Sequence, residues 1–249
     1  SDTFVGLDKF DQEFVDAWRR HLKQGVESAE IALLLTLVPS LRSLHLCCSK
    51  NDLGRYIQET CDLMIAPLPC QILPVLSSLG LETRYTSAGQ ISLNRCISLI
   101  TLPTLESISG TGFRGRHGAQ VNQDIFSRLS RNQVLHLDFQ ECLDAPLYLP
   151  DFIRSCTKLE TLTVETSRVN NDNLFNDNNF LEAIKVRAGT LKSLTLLMMK
   201  DRCESQIWDL RTLTNLQYLE IDMNILLRNA GSTLITNCLP ANIETLHIH

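Results

Sequence analysis

The chain has 249 residues, 44% of them hydrophobic, with a net charge of −5 and an isoelectric point near 5.7. That acidic balance supplies no basic field for nucleic acid, and no apolar run approaches the roughly 18 residues of a membrane span, so neither is expected as a partner. Nine scattered cysteines, an odd number with no C-x-x-C pair, point to reduced thiols in a soluble intracellular protein, cytoplasmic or nuclear.

Asp8 to Gln24 places Phe10, Phe14, Val15, Trp18 and Leu22 at helical intervals, with Arg19, Arg20 and Lys23 toward the end that suits the helix dipole. A second helical pattern, Ser28 to Leu37, runs through Pro39 to Leu41, so residues 1–40 are predicted to form an N-terminal helical cap. Residues 49–75 are read as an insertion, with a helix around Leu53–Met64 and then Ala66-Pro67-Leu68-Pro69 and Pro74. Further helical patterns fall at about 91–100, 121–129, 146–156, 179–187 and 205–213, each shortly before an apolar alternation.

Those alternations restate one phrase. It appears as Leu41-x-x-Leu44-x-Leu46, Leu105-x-x-Ile108, Val134-x-x-Leu137-x-Phe139, Leu159-x-x-Leu162-x-Val164, Leu191-x-x-Leu194-x-Leu196, Leu216-x-x-Leu219-x-Ile221 and Ile243-x-x-Leu246-x-Ile248. From Leu105 onward the steps are 29, 25, 32, 25 and 27 residues, long enough for a strand and a return helix. The 64-residue step from Leu41 to Leu105 is about twice that, so a degenerate copy is expected between them, with Leu79–Tyr85 the best candidate. This is the leucine-rich-repeat signature. The predicted fold is α/β: one leucine-rich repeat solenoid, or horseshoe, over residues 1–249, with about eight irregular repeats. Parallel strands line its concave face and helices its convex face, and the array is expected to continue to or beyond His249.

Two motifs suggest other chemistry. Gly110-Thr111-Gly112-Phe113-Arg114-Gly115 is a formal G-x-G-x-x-G with Asp138 on the next strand. In a dinucleotide site the third glycine opens the helix that faces the pyrophosphate; here Arg116-His117-Gly118 intervene. An enzyme using this loop for a nucleotide or small ligand is therefore the minor alternative. Asn170–Asn179 is rich in oxygen ligands, but it lacks the glycine a calcium loop requires. No G-x-S-x-G, H-E-x-x-H or P-loop occurs. His45, His136 and His247 belong to separated repeats and cannot meet around one ion. The expectation is a non-enzymatic chain with no catalytic residues, metal ligands or cofactor.

In each repeat the third, fifth and seventh residues face away from the core and form columns across the sheet. The candidate partner-binding residues on this concave face are His136, Asp138, Gln140, Thr163, Glu165, Leu197, Tyr218, Glu220 and Asp222. Tyr218 and Leu197, with Met223, supply the larger anchors that interfaces favour. The bland counterpart is a solvated face that binds nothing.

The phrases Leu37-Val38-Pro39-Ser40-Leu41-Arg42-Ser43-Leu44-His45-Leu46, Cys156-Thr157-Lys158-Leu159-Glu160-Thr161-Leu162 and Leu239-Pro240-Ala241-Asn242-Ile243-Glu244-Thr245-Leu246 resemble the irregular repeats of fungal F-box-type leucine-rich proteins. The resemblance implies a protein-interaction scaffold that serves as the target-recognition part of a ubiquitin-ligase substrate receptor. A ligase scaffold would then be a partner only if an F-box lies upstream, because Phe4–Gln24 shows neither an L-P-x-E opening nor an F-box-like helix set.

Overall fold

In the computed structural model, which describes residues 12–48, 73–83, 97–112, 133–142, 149–166, 178–198, 209–227 and 237–249, each apolar alternation is a strand. These are β1 Ser43–Cys48, β2 Ser78–Thr83, β3 Ser107–Thr111, β4 His136–Cys142, β5 Thr161–Thr166, β6 Ser193–Met198, β7 Tyr218–Ile221 and β8 Thr245–Ile248. They form one eight-stranded sheet in sequential order, every neighbouring pair parallel. Parallel neighbours need a crossover of a dozen or more residues between them, and the intervals between repeats supply it. The fold is a leucine-rich repeat solenoid.

One backbone device holds the order. The carbonyl of the residue after each repeat's first apolar position accepts two N–H groups from the next repeat. Arg42 accepts from Ser77 and Ser78 at 2.9 and 3.0 Å, and the pattern continues at Ser77, Glu106, Leu135, Glu160, Lys192 and Gln217. Side chains on the residue before that apolar position add a second ladder: Thr104 Oγ1 donates to the Leu76 carbonyl at 2.7 Å, and Asn215 Nδ2 to that of Gly189 at 2.7 Å. Asn242 Nδ2 continues it to Thr214 at 2.5 Å.

The helices are α1 Gln12–Lys23, α2 Glu27–Leu37, α3 Ile97–Ile100, α4 Leu149–Ser155, α5 Asn178–Lys185 and α6 Met223–Leu227. The two helices predicted at the N-terminus are present over the described residues. Phe14, Val15 and Trp18 form the buried face of α1, and Trp18 Nε1 donates to the Ala29 carbonyl at 2.9 Å, pinning α1 to α2. Gly25, at φ +69°, turns the chain between them. Val26 and Gly25 donate back to His21 and Leu22, which satisfies carbonyls that α1 would otherwise leave open.

Among the described residues a core cluster runs from Phe14 to Leu226. It joins the inward strand residues to Phe152 and Ile153 of α4 and to Phe180, Ala183 and Ile184 of α5. Phe139 meets Phe152 edge-on, with ring centroids 6.0 Å apart. At the far end β8 is exposed along its length, Leu246 at 39% and Ile248 at 36%.

Several elements depart from expectation. The degenerate repeat is a full copy: Leu76-Ser77-Ser78-Leu79-Gly80-Leu81 carries the complete signature, with Leu79 and Leu81 in register with Leu44 and Leu46. Leu73 and Leu76 are core residues, 2% and 0% exposed, so the repeat already occupies the end of the stretch read as an insertion. The helix expected over 205–213 is not helical across 209–213, where Asp209 and Arg211 form a turn. The helices expected near 53–64 and 121–129, and most of the 170–179 loop, lie outside the described residues.

Candidate functional site

All the candidate residues but Asp222 stand on the outward side of the strands, because alternation along each strand sends their neighbours into the core. In β5 the alternation is explicit: Thr161, Thr163 and Glu165 are half-buried while Leu162 and Val164 are buried. Register places Asp138 beside Thr163, Thr163 beside Thr195, and Thr195 beside Glu220. Glu165 lies beside Leu197. The fifth column is therefore continuous from β4 to β7.

The seventh column is broken. Between Phe139 and Cys142 the β4–β5 register slips by one residue, and Glu141 takes a φ of 51° at the slip. This bulge removes Gln140 from direct register with Glu165. Gln140 instead turns back along its own strand, its Nε2 donating to Asp138 Oδ1 and Oδ2 at 3.3 and 3.1 Å. His136 is exposed at the start of the same strand.

A second group forms on β6–β8. Tyr218 Oη donates to Glu220 Oε2 at 2.9 Å, and His249 Nε2 lies 2.9 Å from Glu220 Oε1. Thr195 Oγ1 donates to Glu220 Oε2 at 3.5 Å. The Tyr218 and His247 rings sit 5.6 Å apart. The Tyr218 hydroxyl and His249 hold the Glu220 carboxyl below its ordinary range, chiefly through the Tyr218 hydrogen bond. The same bond raises the Tyr218 phenol. Glu220 thus stays ionised at neutral pH and somewhat below, presenting an acid framed by an aromatic and two imidazoles.

Asp222 is not on a strand. It follows β7 as the residue before α6, its N–H donating to the Leu196 carbonyl at 3.1 Å and its carbonyl accepting from Ile225 at 3.0 Å. The β4 group and the Tyr218 group are three strand spacings apart, about 14 Å, so they do not form one cluster. His247, His249 and Thr195 were not among the candidates. Their signal was the column itself, in which Thr195, Glu220 and His247 hold the same position.

The glycine motif has an ordinary role over its described part. Gly110 lies within β3, buried and in register with Leu81 and Phe139, and Gly112 leaves that strand at φ +76° with its N–H on the Gln140 carbonyl. A strand engaged in a ladder does not offer its amides to a phosphate. Phe113 to Gly115 lie outside the described residues. His45, His136 and His247 are on β1, β4 and β8 and stay apart. Among the described cysteines, Cys47, Cys156 and Cys238 are free thiols, and burial pushes Cys156 up to about 12.

No helix among the described residues is long and apolar enough to cross a membrane. No family model matches the sequence, and no curated protein matches it. Among solved structures, the chain is similar to an internalin from Listeria monocytogenes, at 13% identity and a TM-score of 0.36. That match takes in 88% of this chain and 63% of the internalin.

Proposed function

We propose that the protein is a non-enzymatic scaffold that binds a protein partner along the outward face of its sheet, with Tyr218 and Glu220 at the centre of the contact. The carrying observation is the group built on β6–β8. An ionised carboxylate is held by Tyr218 and His249, with a second imidazole tilted against the phenol. Aromatic side chains of fixed position are the anchors interfaces use most, since little rotamer freedom remains to be lost on binding. Asp138, Gln140, Glu165 and Leu197 extend the face toward β4, giving a strip that an extended partner would follow. The F-box-type resemblance supports a narrower reading, in which the array selects targets for a ubiquitin ligase. An F-box encoded ahead of Ser1 would support that reading, and an unrelated upstream segment would remove it.

The test is comparative capture. Partners recovered by the wild-type chain are measured against a variant with Asp138, Glu165, Tyr218 and Glu220 replaced by alanine, and against a control altered at exposed Glu182 and Val186. The expected result is at least a tenfold loss for the face variant, the scale of truncating a few anchors at about 1–2 kcal/mol each, with the control unchanged. Equal recovery by all three chains would remove the face from the proposal.

A further inference from the structure

We propose that His45, Cys47 and Glu82 form a zinc-binding site on the outward face at the first two repeats. His45 and Cys47 are two apart on β1 and so share a face, while Glu82 on β2 is the register partner of Cys47. The three donor atoms all lie within 4.8 Å of one another. Cys47 Sγ is 3.2 Å from Glu82 Oε2, and His45 Nε2 is 3.7 Å from the same oxygen. Ligands of a tetrahedral zinc ion, at the usual bond lengths of about 2.0–2.3 Å, stand roughly 3.3–3.6 Å apart. These two separations bracket that range, and the His45 and Cys47 donors lie within 4.8 Å of each other, so the site calls for side-chain adjustment to draw the three onto one ion.

Imidazole nitrogen, thiolate sulfur and carboxylate oxygen are together the donor set of a borderline-soft ion such as zinc, not of calcium or magnesium, which take oxygen alone. Gly80 contributes space. It is the register partner of His45, and a Cβ there would collide with the imidazole Cδ2. Glycine thus lets the ring lie across β2 toward Glu82. Side-chain exposures of 59% for His45 and 40% for Glu82 leave a fourth coordination position to water. Binding requires Cys47 to lose its thiol proton, so zinc uptake releases a proton to solvent.

The experiment uses the whole chain, reduced and freed of metal with a chelator, titrated with Co2+ and then Zn2+. Expected is a thiolate-to-cobalt charge-transfer absorption that Zn2+ abolishes, and proton release on Zn2+ addition in weak buffer. Cys47→Ser should eliminate the absorption, and His45→Ala, Glu82→Gln and Gly80→Ala should each weaken binding by about tenfold or more, as disturbing a metal's ligand shell does. Circular dichroism of the His45, Cys47 and Glu82 variants should match wild type, since none of the three side chains is in the core. Absence of the absorption in the wild-type chain overturns the site, as does its survival in Cys47→Ser. Loss in Cys47→Ser with unchanged affinity in both His45→Ala and Glu82→Gln overturns the three-ligand assignment.

Discussion

Glu141 sits at φ 51°, in the left-handed region where a Cβ crowds the following carbonyl at a cost of roughly 1–2 kcal/mol. Its position in the β4 bulge imposes that conformation whatever the side chain. Glu141→Gly is therefore expected to raise stability by up to about 1 kcal/mol, and Glu141→Val to lower it by about 1 kcal/mol or more, because branching at Cβ sharpens the clash. Urea unfolding midpoints measure both; a Val variant as stable as wild type would mean that the bulge does not hold this conformation. Nothing at this residue announced the bulge in advance. Glu141 follows an unbroken alternation from His136 to Gln140, and the slip arises only in pairing with β5. For the same reason the outward columns were legible through the fifth position, and at the seventh the alignment fails where β4 meets β5 and at Asp222, which lies off the strand.

At the scale of the element, one repeat position meets two environments. Leu79 and Leu246 hold the same place in the signature, yet Leu79 is fully buried while Leu246 is 39% exposed at the sheet's end. Leu79→Ala should cost about 2–5 kcal/mol, the range for emptying a packed core site, whereas Leu246→Ala should cost less than half as much. Comparable losses in thermal or urea unfolding would show that β8 is covered to the same degree as β2.

The strands were readable because each inward side chain must be apolar, and that requirement repeats eight times. Leu76-Ser77-Ser78-Leu79-Gly80-Leu81 was readable too, but reading from Leu79 hid its first leucine and left Glu82 out of the outward columns. The pairing of Cys47 with Glu82, on which the zinc proposal stands, becomes visible only in that register. The outer segments were harder, since they need only cover the core. Asp209 shows why the 205–213 pattern failed: its carboxylate accepts the Arg211 backbone N–H at 3.1 Å and the guanidinium at 2.9 and 2.7 Å. That local bonding competes with a helix, and Arg211 holds the Asp209 carboxyl down at about 2. The α6 helix had a signal of its own in Asp222, a favoured capping residue ahead of Met-Asn-Ile-Leu-Leu.

Across the whole molecule, stability is a sum of repeats and of the interfaces between neighbours. An interior repeat has two interfaces; β8 has one among the described residues, and its side chains are exposed. Native-state hydrogen exchange should therefore be fastest in β8 and slowest in β4 to β6. Protection of β8 equal to that of β5 would contradict a nearest-neighbour account and point to a cooperative unit spanning the array.

The doubly accepting carbonyls from Arg42 to Gln217 make the outward face a ruler. Each graduation is set where a strand begins, at about 4.8 Å per strand, and is indifferent to whether 25 or 32 residues separate one repeat from the next. Distance along the face is thus counted in repeats and not in residues. The Cys47–Glu82 pair and the Glu220 group stand at opposite ends of a scale about 30 Å long, so lengthening an outer segment changes the molecule's back without moving a mark on its front.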